Sequence, residues 1–240
     1  MTRIIGISGR KQSGKNTSAN FLHGLVLKAN GLTSEFNIDS SGDLALQSTA
    51  GWGVFDITRK DDEFINYAET NMWPYVKLYS FADTLKAMCI DLFGLRPEQV
   101  YGTDEQKNTP TDLYVKNNTG NTRRSTATAR EFMQYFGTNV CRSIKPNVWV
   151  DHLMKTIGRE KTNLAIIADI RFPNEVDAVL DAGGEVIRLN RKPLTDSHAS
   201  ETSLDEGIFD QSKFSYIIPS GSIEDLCKSL ESIFLKGSIC

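Results

Sequence analysis

The stretch Gly9-Arg10-Lys11-Gln12-Ser13-Gly14-Lys15-Asn16-Thr17 decides the fold. It has the spacing G-x-x-x-x-G-K. The β-branched run Arg3-Ile4-Ile5-Gly6-Ile7-Ser8 precedes it, and a helical period from about Gly14 to Asn30 follows. Glycines let such a loop curl until successive backbone N–H groups point inward, where phosphate oxygens can accept from them. A helix beginning at the loop adds the positive end of its dipole. Lys15 then reaches the β- and γ-phosphates as a compact cation. The expected ATP phosphate-binding set is Gly9, Lys11, Ser13, Gly14, Lys15, Asn16 and Thr17. One position departs from the usual pattern. Asn16 stands where Ser or Thr normally holds Mg2+, and the hydroxyl comes one residue later, at Thr17.

Outward from the loop, short β-branched runs alternate with helical periods, the signature of a parallel sheet flanked by helices. Strands are expected at Val76–Phe81, Leu164–Asp169, Glu185–Leu189 and Phe214–Ile218. Helices are expected over Asp83–Phe93, Ala127–Arg142, Val148–Ile157 and from Ser222 to about Leu235. Leu164–Asp169 is the most continuously apolar run and is expected to be central. Residues 31–75 and 102–128 interrupt the alternation. The first carries Trp52, Phe55, Phe64, Tyr67 and Trp73, too aromatic for a linker; the second is polar. Both read as mobile substrate or lid insertions in a single domain over 1–240.

Two further groups of residues bear on chemistry. Ala168-Asp169-Ile170-Arg171 ends the most apolar strand, and open α/β sheets bind ligands at the carboxyl ends of their strands. Asp169 there either organises Mg2+ or caps the helix that begins near Pro173. Arg171 lies two residues on, where it could steady a moving phosphoryl group. In the helix over 127–142, Arg130, Gln134 and Thr138 recur at i, i+4 and i+8, opposite an apolar stripe of Phe132, Met133, Phe136 and Val140. That polar face is either a solvated one or a nucleotide-binding one, since Gln suits a base edge and Arg a phosphate. Arg142 ends the helix. Trp149 reads by default as core. Arg188, Arg191 and His198 carry a weaker signal.

Composition excludes several classes. Of 240 residues, 27 are Lys or Arg and 30 are Asp or Glu, a net charge of −3, so no basic excess points to stable nucleic-acid binding or an anionic membrane. Nothing approaches the ~18 apolar residues of a membrane span. Cys89, Cys141, Cys227 and Cys240 lack metal-ligand spacing and read as reduced thiols of a cytoplasmic protein.

Taken in order, these motifs resemble the phage-type deoxynucleoside monophosphate kinases. The resemblance adds Phe81-Ala82-Asp83-Thr84-Leu85-Lys86, Arg130-Glu131-Phe132-Met133-Gln134-Tyr135-Phe136-Gly137-Thr138, Asp169-Ile170-Arg171-Phe172-Pro173-Asn174-Glu175, Gly183-Gly184-Glu185-Val186-Ile187 and His198-Ala199-Ser200-Glu201. It implies the P-loop nucleoside monophosphate kinase fold and the reaction ATP + dNMP = ADP + dNDP. Lys15, Arg130, Arg142, Asp169 and Arg171 would be catalytic, with Mg2+ held by Thr17 and Asp169. Arg130, Gln134, Gly137, Thr138, Trp149, Asp169, Arg171 and Glu175 would bind the deoxynucleoside monophosphate. It also implies a homodimer, in the host cytoplasm if phage-encoded. Relatives place Asp where this chain has Asn16. The competing readings are a dephospho-coenzyme A kinase-like enzyme and a nucleotide-binding regulator without activity.

Overall fold

A computed structural model describes residues 2–49, 51–115, 125–190 and 202–236. Its elements begin with β1 (Arg3–Gly9), α1 (Lys15–Ala29), β2 (Phe36–Ile38), β3 (Leu44–Ser48), β4 (Gly51–Val54), α2 (Asp62–Asn71) and β5 (Val76–Tyr79). There follow α3 (Asp83–Asp91), α4 (Pro97–Tyr101), α5 (Asp104–Lys107), β6 (Pro110–Val115), β7 (Ser125–Thr128) and α6 (Ala129–Gln134), which runs into a π-helix over Tyr135–Arg142. The chain continues with α7 (Val148–Glu160), β8 (Leu164–Ile170), α8 (Pro173–Asp181), β9 (Glu185–Asn190), β10 (Tyr216–Pro219) and α9 (Ile223–Lys236). These elements fall into two compact units: Met1–Ser80 with Met154–Cys240, and Phe81–Leu153.

The first unit is built on a five-stranded parallel sheet in the order β10-β9-β1-β8-β5. β1 takes the middle place, with Ile5 beside Ile166 of β8 and Gly6 beside Val186 of β9. β8, expected to be central, is an inner strand next to it. Ile5, Ile7, Ile166, Ile167 and Ile187 are fully buried, as a strand with both faces covered requires. α1 closes this core with Ala19, Leu22, Val26 and Leu27, and α9 adds Leu230 and Ile233. Residues 31–75 are more than an insertion. They form the antiparallel sheet β2-β3-β4 and helix α2, and they supply Leu44, Ile57, Phe64, Ala68 and Met72 to the same core. The ordered part of this segment is thus anchored by apolar side chains built into the core. Of its aromatics, Phe64 is buried while Trp52 on β4 is 55% exposed.

The second unit has its own core of Cys89, Leu95, Val100, Ala127, Ala129 and Phe132. Phe93, Phe132 and Phe136 pack together, with ring centroids 4.8 to 5.9 Å apart. β6 pairs antiparallel with β7, so much of the 102–128 stretch is ordered secondary structure; residues 116–124 lie outside the described residues. The expected single helix over 127–142 is a strand end, a short α-helix and a π-helix in succession.

Candidate active site

β1 ends at Gly9, and α1 begins at Lys15. Between them Gln12 adopts φ 60° and Gly14 φ 98°, two left-handed residues in a five-residue turn. Such conformations turn successive amides toward one side and make an anion-binding concavity. No side chain caps α1, and its first turn holds no acidic residue, so nothing offsets the positive field of the helix start. The Lys15 ammonium folds back and donates to the carbonyl oxygens of Gly9 at 2.6 Å and Arg10 at 2.7 Å. Ser13 Oγ is buried and has no hydrogen-bond partner. A buried hydroxyl without a partner costs about 1–3 kcal/mol. A phosphate oxygen would satisfy it.

Lys11 is half-buried and Asn16 is exposed. Thr17 is half-buried, and its hydroxyl lies against Gly42, where a Cβ would collide with Oγ1. Gly42 belongs to the turn between β2 and β3. Asp39 Oδ1 shapes that turn by accepting from Ser41 N and Asp43 N, and Asn20 Nδ2 donates to the Gly42 carbonyl at 2.9 Å.

Asp169 stands near the carboxyl end of β8, where Ser80, just past β5, donates from Oγ to its Oδ2 at 2.5 Å. Parallel pairing of β5 with β8 brings the two together. Ser80 lay inside a strand run in the sequence, and nothing local marked it as a partner of Asp169. The alternative role for Asp169, capping α8, belongs to Glu175. Glu175 Oε2 accepts from Arg171 N at 2.8 Å and Phe172 N at 3.1 Å. Glu175 is only 2% exposed and engaged in this way at the start of α8. Arg171 is half-buried at the start of the same turn.

In the second unit, Thr128 and Glu131 form a capping box at the start of α6. Arg130 donates from Nη2 to Asp104 Oδ1 at 2.6 Å, while its Nε is buried and has no partner. Gln134 and Thr138 are exposed, and Arg142 is half-buried. The π-helix changes how these residues line up. An α-helix overshoots a full turn by about 40° every four residues, whereas the wider π-helix turns roughly 80° per residue and falls short by about 40°. Thr138 and Arg142 therefore swing back toward the side of Arg130. Gly137, one residue before Thr138, is buried, and its carbonyl accepts from Trp149 Nε1 at 3.2 Å. Trp149 is 5% exposed, and this bond ties it to the π-helix. Gly137 contributes through its backbone and small size, since a Cβ there would crowd Leu85.

The profile of the deoxynucleotide monophosphate kinase family matches residues 77–230. This chain belongs to that family. The matched span takes in Arg130, Gln134, Thr138, Arg142, Asp169 and Arg171. The loop of residues 9–17 lies before it. A protein of Acanthamoeba polyphaga mimivirus named "Putative deoxynucleotide monophosphate kinase" is 35% identical over 140 residues, covering 52% of this chain and 67% of its own. As a deoxynucleotide monophosphate kinase, the chain is a phosphotransferase that converts deoxynucleoside monophosphates to diphosphates.

The donor set also fits a particular metal. Among the described residues no three His, Cys, Asp or Glu side chains gather to hold an ion. Asp169 offers a single hard carboxylate near the sheet edge where the phosphate loop begins. That suits Mg2+, which takes one or two carboxylates and completes its shell with substrate phosphates and water. His198, Ser200, Glu201 and Arg191 lie outside the described residues.

Proposed function

We propose that the phosphoryl donor is Mg·ATP, bound at the loop of residues 9–17. The buried, unpartnered hydroxyl of Ser13 at the mouth of an uncapped helix carries this reading. Lys15 would exchange its two loop carbonyls for the β- and γ-phosphates, and the loop amides would hold the remaining oxygens. Asp169, oriented by Ser80, would hold Mg2+ directly or through water. Thr17, the nearest hydroxyl in sequence, would share that role directly or through water. When bound, Mg2+ neutralises charge on the donor phosphates.

The acceptor phosphate has a second pKa of about 6 and is largely dianionic at neutral pH, so the reaction needs no strong base. An acceptor oxygen attacks the γ-phosphorus, and the bond to the β-phosphate oxygen breaks with its electron pair leaving on ADP. Arg130, Arg142 and Arg171 are assigned to the acceptor phosphate and the moving group. The unpartnered Nε of Arg130 supports its share of that assignment. Gln134 and Thr138, exposed on the same helix, are assigned to the nucleoside. The family resemblance further supports a homodimer acting in the cytoplasm.

A coupled ADP-release assay tests the whole reading. It would use Mg·ATP against dTMP, dGMP, dCMP, dAMP and the matching ribonucleotides, with no-acceptor and dephospho-coenzyme A controls. Turnover that depends on a deoxynucleotide acceptor is expected. Turnover with dephospho-coenzyme A alone, or ATP binding without transfer, would overturn it.

A further inference from the structure

A dry cluster of charge stands beside the phosphate loop, and the transfer reaction as described does not use it. Arg10, the second residue of the loop, grips Asp205 at two points, Nε to Oδ1 at 3.2 Å and Nη2 to Oδ2. Arg188 of β9 donates from Nη2 to the same Oδ1 at 3.1 Å and from Nη1 to Ser8 Oγ at 3.0 Å. Its guanidinium also sits 5.7 Å from the centre of the Phe214 ring. The side chains of Arg10, Asp205 and Arg188 are 20%, 19% and 11% exposed, so water screens this network weakly. Ser8 is fully buried and pairs with Arg188 across neighbouring parallel strands.

Two sets of bonds thus hold the first limb of the loop. Lys15 holds the Gly9 and Arg10 carbonyls, and Asp205 with Arg188 holds the Arg10 and Ser8 side chains. Lys15 cannot donate fully to both carbonyls and to donor phosphates. When the nucleotide takes Lys15, the first set is given up, while the second remains beside the turn bond from Ser13 N to the Arg10 carbonyl. The geometry points to Asp205 as a positioning residue for the donor nucleotide: it keeps Arg10, and with it the amides of residues 9–14, in phosphate-binding shape once Lys15 has turned away. This inference rests on the reading of that loop as the ATP site.

The opposite role is also concrete. In it, Asp205 would only restrain Arg10 until phosphates arrive and Arg10 binds them itself. The two differ in sign. A clamp loses ATP affinity when Asp205 is neutralised, whereas a restraint gains it.

Asp205→Asn, Arg10→Ala and the double variant would be compared with the intact chain by steady-state kinetics and by titration with a fluorescent ATP analogue. Loss of a charged hydrogen-bond pair predicts about a tenfold rise in KM for ATP and in the analogue Kd, with KM for the deoxynucleotide unchanged. The double variant should be no worse than the poorer single one, because both remove the same link. Arg10→Lys, which keeps one ionic contact, should recover part of the loss. An unchanged ATP KM with only a lower Tm, tighter ATP binding, or additive single effects would each overturn the positioning role. Wild-type protein that transfers phosphate but fails to bind the analogue through Lys15 would overturn the ATP-site reading, and the inference with it.

Discussion

Lys15 shows how much one side chain can tell. Its position in the G-x-x-x-x-G-K spacing was plain in the sequence; its two carbonyl partners were not, because they depend on how the loop closes. Lys15→Ala removes two charged hydrogen bonds of a partly solvated group, so it should cost only about 1–3 kcal/mol of stability while abolishing nearly all transfer. Circular dichroism with the ADP-release assay checks both halves. His23 tests a purely structural residue. It is fully buried in α1, its Nδ1 lies 3.0 Å from the Ala19 carbonyl, and burial pushes its pKa down to about 4. In the unfolded chain the same imidazole titrates near 6.5. Between those values the unfolded state binds the extra proton, so stability should fall as pH drops from about 6.5 toward 4, by up to about 3 kcal/mol. In urea titrations across that range, His23→Gln should flatten the slope even if it lowers stability at pH 7. An unchanged slope would remove His23 as its source.

The element that departs most from its sequence pattern is the helix over 129–142. Spacing of four residues suggested a polar face, but on an α-helix that face drifts around the axis; the π-helix draws Thr138 and Arg142 back toward Arg130. What holds the wider turn is Trp149, through its bond to the Gly137 carbonyl. Trp149→Phe keeps an aromatic ring but removes part of its buried volume and leaves that buried carbonyl without this donor, the lost hydrogen bond alone costing about 1–3 kcal/mol. KM for the deoxynucleotide should rise while KM for ATP stays level. A drop in Tm alone would make the brace merely structural. Gln134→Ala should reorder the preference among bases with little effect on ATP affinity, and a substrate panel of unchanged rank would return Gln134 to a solvated face.

For the whole molecule, the chain forms two compact units, each described with a buried cluster of its own. Burial differs sharply within the first unit. β1 and β8 are closed on both sides, whereas all four residues of β4 are exposed at the edge of the three-stranded sheet. Hydrogen exchange read by mass spectrometry should show the amides of β1 and β8 as the slowest and those of β4 among the fastest. Equal protection in β4 and β1 would contradict the burial seen here. Mutual reach of distant segments also belongs to this scale: Ser80 meets Asp169 and Arg10 meets Asp205 only because the sheet orders its strands β10-β9-β1-β8-β5.

The sequence by itself determined the glycine-rich turn between β1 and α1, the parallel α/β class and the family resemblance. Each is written in local spacing: glycines that permit a turn, a lysine at a fixed offset, apolar runs that must be buried on two faces. Tertiary structure alone decided which carboxylate serves which purpose. Glu175 caps α8, Asp169 is oriented by Ser80, and Asp205 holds Arg10. Partners 4, 89 and 195 residues apart are indistinguishable to any local pattern, because a carboxylate's role is set by the donors that reach it after the chain has folded.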